Sequence, residues 1–230
     1  MVVASNLSKS YGKTTYLSGI DLNVKKGSAL AVAGENGAGK TTLLKILATA
    51  SRPDSGSLLI DGIDAVAEPS KARERIGFVP QGIALMQELS VRDNLYYWMK
   101  ERDESVYIWT LGIIGLEDME KKKVSKLSGG MKRRLNIGAS LVLRPSLLIL
   151  DEPLAGVDIA NRRRIIDSLC ELKKHGVTII FTSHYIEEMS MLADELIALR
   201  AGAATYYGGI DFSGRDDLKG LSDAIRYYTA

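Results

Sequence analysis

The 230-residue chain has a single cysteine, Cys170, so no disulfide can form within it. Cys170 follows Leu169 and lies four positions after Ile166, which predicts a small apolar side chain buried in a helix rather than a reactive thiol. Nowhere do about eighteen apolar residues run together, so no membrane-spanning helix is expected. The opening residues, Met1-Val2-Val3-Ala4-Ser5-Asn6, lack the basic stretch and long apolar run of a secretory signal. An excess of one charge is also missing: 30 Lys and Arg stand against 28 Asp and Glu, a net +2, too mild to imply nucleic acid. There is no internal repeat and no low-complexity tract. At 46% hydrophobic and 25% charged, the composition supports a packed core and argues against disorder. A soluble, cytosolic chain follows, organised as one domain over residues 1–230.

What is present begins with Gly34-Glu35-Asn36-Gly37-Ala38-Gly39-Lys40-Thr41-Thr42. An apolar run, Ala29 to Ala33, precedes it, and Leu43 to Ala48 follow with helical character. Strand, glycine-rich turn and helix in that order form the context of a phosphate-binding loop. Glycines allow consecutive backbone N–H groups to point into one concavity, and the helix start adds partial positive charge. Lys40 can then reach the β- and γ-phosphates of a nucleoside triphosphate, and the Thr41 hydroxyl can coordinate Mg²⁺.

Around this loop the chain alternates between strand and helix patterns. Leu17, Ile20, Leu22 and Val24 are apolar positions among polar ones, predicting a small, largely antiparallel sheet over residues 1–33. Tyr11 sits there in a polar turn, where it is either an ordinary surface tyrosine or a stacking partner for a base. The helix after the loop is expected to end near Ala50, ahead of Arg52-Pro53-Asp54-Ser55-Gly56. Strands are expected over Ser57–Ile60 and Arg75–Val79, the latter stopping at Pro80 and leaving Gln81 where the chain leaves the core. Residues 82–144 read as helical, with Val91 to Lys100 and Ser105 to Ile114 carrying apolar residues at three- and four-residue spacing.

Ser128-Gly129-Gly130 opens the last of these helices, which has the apolar stripe Met131, Leu135, Ala139 and Val142 and a polar side with Lys132, Arg133 and Arg134. A hydroxyl, free N–H groups and a helix dipole make a second anion site. Lys121 to Lys123 and Lys126 just upstream read as a solvated face. Leu147 to Leu150 is a buried-strand run ending in Asp151-Glu152-Pro153, acids at the strand end where α/β folds carry out chemistry. Asp151 suits a metal shell, and Glu152 can orient or deprotonate water. An amphipathic helix over 160–174 turns Ile165, Ile166, Leu169 and Leu172 inward and stops at Gly176. Val177 to Thr182 forms a further strand, closed by His184 at the same sheet edge. A hairpin around Ala201-Gly202 and a polar tail, about 211–230 and helical from Asp216, finish the chain.

These pieces resemble the ATP-binding cassette, the nucleotide-binding subunit of ABC transporters, over roughly residues 2–210. Leu127-Ser128-Gly129-Gly130 ahead of Asp151-Glu152, with His184 at the next strand end, carries most of the likeness. The resemblance implies a P-loop NTPase of α/β class: a RecA-like parallel core sheet, a small N-terminal antiparallel β subdomain and an inserted α-helical subdomain at about 82–144. It implies ATP and Mg²⁺, with Tyr11 stacking on adenine and Gly34 to Thr42 holding the phosphates. Gln81 would touch Mg²⁺ and water, Thr41 and Asp151 would complete the metal site, Glu152 would be the catalytic carboxylate and His184 the switch histidine. Lys40 would act on the phosphates during catalysis. Ser128, Gly129 and Gly130 would contact the ATP of a second cassette, and Asp158 would couple the two sites across that dimer.

Met131 stands where glutamine is commonest in the family, and Ile159 where proline follows the aspartate. With Ser183-His184-Tyr185-Ile186-Glu187-Glu188, these departures look like the cassettes of ABC-2 type exporters. The implied partner is a separate membrane permease docking near Met86 to Tyr97, with the chain peripheral on the inner membrane face. The alternative is a soluble cassette acting on nucleic acid or ribosomes. The short span between Gln81 and Ser128 leaves no room for the coiled coil of DNA-repair relatives, and only one cassette is present.

Overall fold

The structure is a computed structural model that describes residues 1–209; the expected C-terminal helix lies outside the described residues. Strands β1 (Val2–Tyr11), β2 (Thr14–Val24) and β3 (Ala29–Gly34) lead into α1 (Lys40–Leu47). Next come β4 (Ser55–Ile60), β5 (Ile63–Asp64), α2 (Pro69–Arg73) and β6 (Ile76–Val79). Three helices follow, α3 (Val91–Trp98), α4 (Glu104–Ile114) and α5 (Gly129–Leu141), with two short 3₁₀ turns ahead of the last. The chain then alternates through β7 (Leu147–Leu150), α6 (Ile159–Lys174), β8 (Thr178–Thr182) and α7 (Ile186–Leu192) to the hairpin β9 (Glu195–Arg200) and β10 (Ala203–Gly209).

Two sheets result. β2-β1-β4-β5 is antiparallel, and β10-β9-β3-β8-β7-β6 is parallel except for its β10 edge. β3 was expected with the antiparallel strands of residues 1–33, but it pairs in parallel with β8 and β9 in the middle of the larger sheet. The reason is burial: every residue of β3, β7 and β8 is buried, as befits strands covered on both faces. The two-residue period then sorts side chains between layers. Ala29, Ala31, Ala33, Leu148, Leu150 and Phe181 face the layer of α3 to α6, while Leu30, Val32, Leu147, Ile149 and Ile180 face α1 and the smaller sheet.

α1 stops at Leu47 rather than Ala50, because Thr49 already turns to a positive φ of 54°. α6 buries Ile165, Ile166, Leu169 and Leu172 as expected, and Gly176 follows its end at a φ of 84°. Cys170 is half-buried against that core, its thiol pushed up from its ordinary pKa by burial. No described helix is long and apolar enough to cross a membrane. The parallel register aligns the carboxyl ends of β3, β6, β7 and β8 along one edge, so Gly34, Gln81, Asp151-Glu152 and His184 all emerge there.

Candidate functional site

Gly34 leaves β3 at a φ of 146°, so close to its neighbour that an added Cβ would lie 2.5 Å from the Leu199 carbonyl oxygen. Gly39 ends the turn at a φ of 103° and stands at the N-cap of α1, which has no side-chain cap of its own. The loop's backbone therefore curls around a cleft of about 240 Å³ lined by Tyr16, Glu35, Asn36, Gly37, Lys40, Thr41, Thr42, Gln81 and Glu152, among others. Lys40 is buried, and its Nζ donates to the carbonyls of Gly34 (2.6 Å) and Glu35 (2.9 Å). Burial lowers the Lys40 pKa, opposed by the negative charge of Glu152, Asp151 and Glu35.

Across the cleft, Thr41 donates from Oγ1 to Oδ2 of buried Asp151 at 2.8 Å. Thr182 donates to the other Asp151 oxygen at 3.0 Å and accepts from the Glu152 amide at 2.7 Å. Asp151 and Thr41 thus present hard oxygen donors side by side, the ligand type Mg²⁺ takes from a protein when substrate phosphates supply the rest. Glu152 has a positive φ of 48°, an uncommon setting for a non-glycine residue. Gln81 Nε2 donates to its Oε2 at 2.9 Å, and His184 Nε2 lies 2.8 Å from its Oε1. A carboxylate only accepts, so Nε2 carries the hydrogen in that contact. The glycine loop, Thr41 and the oriented Glu152 carboxylate line one cleft, with Asp151 buried behind Thr41.

Ser128, Gly129 and Gly130 are not among the residues lining this cleft. Ser128 caps α5 by accepting from the Met131 amide at 3.3 Å, and both Ser128 and Gly129 face solvent. Asp158 caps α6, accepting from the Asn161 amide (3.0 Å) and side chain (2.7 Å), bonds that hold its carboxyl below the usual pKa range. Gly130 is backed onto that same Asn161, which a Cβ there would meet at 2.6 Å.

Tyr11 is exposed and also stands outside the cleft lining, edge-on to Tyr16 with ring centroids 5.5 Å apart. Tyr16, which does line the cleft, escaped the sequence reading; a second tyrosine five positions after Tyr11 on the same hairpin was the available signal. Arg133 and Arg134 also differ from expectation. Both are buried rather than on a polar face, because main-chain carbonyls of neighbouring segments take their hydrogens.

A family model described as ABC transporter matches residues 17–155, more than half of the chain. The chain belongs to the ABC transporter family. Among its relatives, the linearmycin resistance ATP-binding protein of Bacillus subtilis (strain 168) is 40% identical over 206 residues, covering 85% of this chain and 65% of that protein. A Nod factor export ATP-binding protein of Rhizobium etli is 38% identical over 210 residues, covering 89% and 66%. This cassette therefore spans about two thirds of the length of those curated relatives. A dimeric ATP-binding cassette solved in a post-hydrolysis state with ADP and Pi superimposes with a TM-score of 0.81, at 26% identity over 90% of this chain and 98% of that one. The ABC cassette fold and its P-loop architecture are thus shared.

Proposed function

We propose that this chain is the ATP-binding and ATP-hydrolysing subunit of an exporter, a single cassette over residues 1–230 that closes on a second cassette and drives a separate membrane permease. The observation that carries this reading is Glu152, held on one oxygen by Gln81 and on the other by His184 beside the phosphate cradle. In this reading Lys40 and the loop amides bind the phosphates, and Tyr11 and Tyr16 together flank the adenine. Thr41, Asp151 and Gln81 hold Mg²⁺, which supplies charge neutralisation at the phosphates when bound. Glu152 orients the attacking water and accepts its proton, while His184 fixes the carboxylate and reaches the γ-phosphate.

The uncovered Ser128 and Gly129 suit contact with ATP held by the second cassette, and Asp158 sits behind them through Asn161. The exposed Ile83, Met86, Tyr97 and Trp98, near Gln81 and on α3, suit permease docking from the inner membrane face. Export is supported by the relative named for Nod factor export. Glu152→Gln tests the reading. ATP hydrolysis should fall by at least about 100-fold, the scale of a lost general base, while light scattering shows ATP-dependent dimers. A variant that stays monomeric with ATP and Mg²⁺ would sink it.

A further inference from the structure

Arg133 lies one turn into α5, and only 3% of it reaches solvent. A guanidinium has five N–H groups, and here each finds a main-chain carbonyl. Nε donates to Pro153 (2.8 Å), Nη1 to Pro80 (3.0 Å) and Gln81 (2.9 Å), and Nη2 to Asp151 (3.2 Å) and Glu152. No carboxylate lies within ion-pair distance of it among the described residues. Burial pulls its pKa down while the negative charge of Asp151 and Glu152 pulls the other way, so the carbonyl dipoles and these two acids hold a buried cation.

The acceptors are not scattered. Two belong to the segment leaving β6 and three to the segment leaving β7, the two strand ends that present Gln81 and Glu152. Glu152 occupies a left-handed backbone conformation that the surroundings must impose. Its amide is held by Thr182 and its carbonyl by Arg133, so both sides of that residue are pinned. The same arginine is five positions from Ser128, the N-cap of its own helix. A shift of either strand end would move the start of α5, and the reverse.

From this geometry we infer that Arg133 is a positioning residue that ties Glu152 and Gln81 of one half-site to the Ser128-Gly129-Gly130 helix start offered to the other. The inference rests on the proposed two-cassette reading and adds the link between its two half-sites. Lysine cannot replace it fully, because a compact ammonium has three hydrogens and no planar fork.

The test compares the parent, Arg133→Lys and Arg133→Gln. Arg133→Gln should lower kcat at least about 30-fold, within the range of a lost positioning contact, and bring the ATP Hill coefficient toward one. Its Kd for a fluorescent ATP analogue should stay within about twofold, and Arg133→Lys should recover part of the kcat. Equal losses of kcat, nucleotide affinity and thermal transition would make Arg133 merely structural and overturn the inference, as would an unchanged kcat. Hydrogen exchange on the parent guards against a variant that does not fold. Mg-ATP should slow exchange over residues 128–134 in dilute monomer, and no slowing there despite bound nucleotide overturns the link. If the parent binds no nucleotide at all, the proposed function falls first.

Discussion

Two helix starts in this molecule are built from glycines and hydroxyl residues, yet they are finished in opposite ways. α1 begins behind Gly39, in a left-handed conformation, with no side chain accepting from its first amides. α5 begins behind Ser128, whose hydroxyl already accepts from Met131. The first start is sunk in the fold: Lys40 is buried, and a Cβ on Gly39 would lie 2.4 Å from the Tyr16 carbonyl oxygen. The second is open, with nothing within 4 Å of a Cβ built on Gly129. An uncapped, enclosed helix start suits a ligand that completes it from within the chain. A capped, exposed one suits a surface that arrives already formed.

The sharpest way to break the comparison is to put the same methyl group at both places. Gly39→Ala meets a backbone oxygen and a forbidden φ at once, a cost on the order of 3 kcal/mol or more. The cradle should distort, with a lower thermal transition and fluorescent-nucleotide binding weakened more than about tenfold, since 1.4 kcal/mol already corresponds to tenfold. Gly129→Ala should do almost the reverse. With open space and a helical position, it should leave stability unchanged or raise it by about 0.5 kcal/mol. Nucleotide binding by the single chain should hold. On the proposed two-cassette reading, the added methyl group obstructs only the approach of a partner's phosphate to the backbone, so ATP-dependent dimerisation in the Glu152→Gln background should weaken by about tenfold. Equal behaviour of the two variants would erase the distinction.

The same contrast explains what could be read from residues alone. The cradle was legible because glycine spacing, Lys40 and Thr41 are adjacent in the chain and their chemistry is local. The strand ends were legible too, since apolar runs stopping at Asp151-Glu152 or at Pro80-Gln81 mark their own boundaries. Pairing was not. β3 lies beside β8, with Ala29 opposite Ile179, and nothing near residue 29 announces so distant a neighbour. Arg133 was misread for the same reason. An arginine defaults to the surface, and the carbonyls that bury it come from two segments elsewhere in the chain. Tyr16 was missed because a second tyrosine five positions after Tyr11 marks a shared hairpin but not which strand position faces the cleft.

The two starts also hold different cations, and pH separates them. Arg133 keeps its charge at any accessible pH, whereas a buried lysine can lose its proton. Burial lowers the Lys40 pKa below its ordinary 10.5, so the folded state releases that proton before the unfolded state does. Below the folded value, the full cost of burying the charge is present. As pH rises through that value the cost disappears, and stability grows until the unfolded chain also titrates at 10.5. The stability difference between the parent and Lys40→Met, taken by denaturant melts, should therefore move in favour of the parent as pH rises toward 10.5. Bound Mg-ATP should flatten that slope, because phosphate charge favours the protonated amine. No slope without nucleotide would mean that the Gly34 and Glu35 carbonyls already offset the burial of the charge.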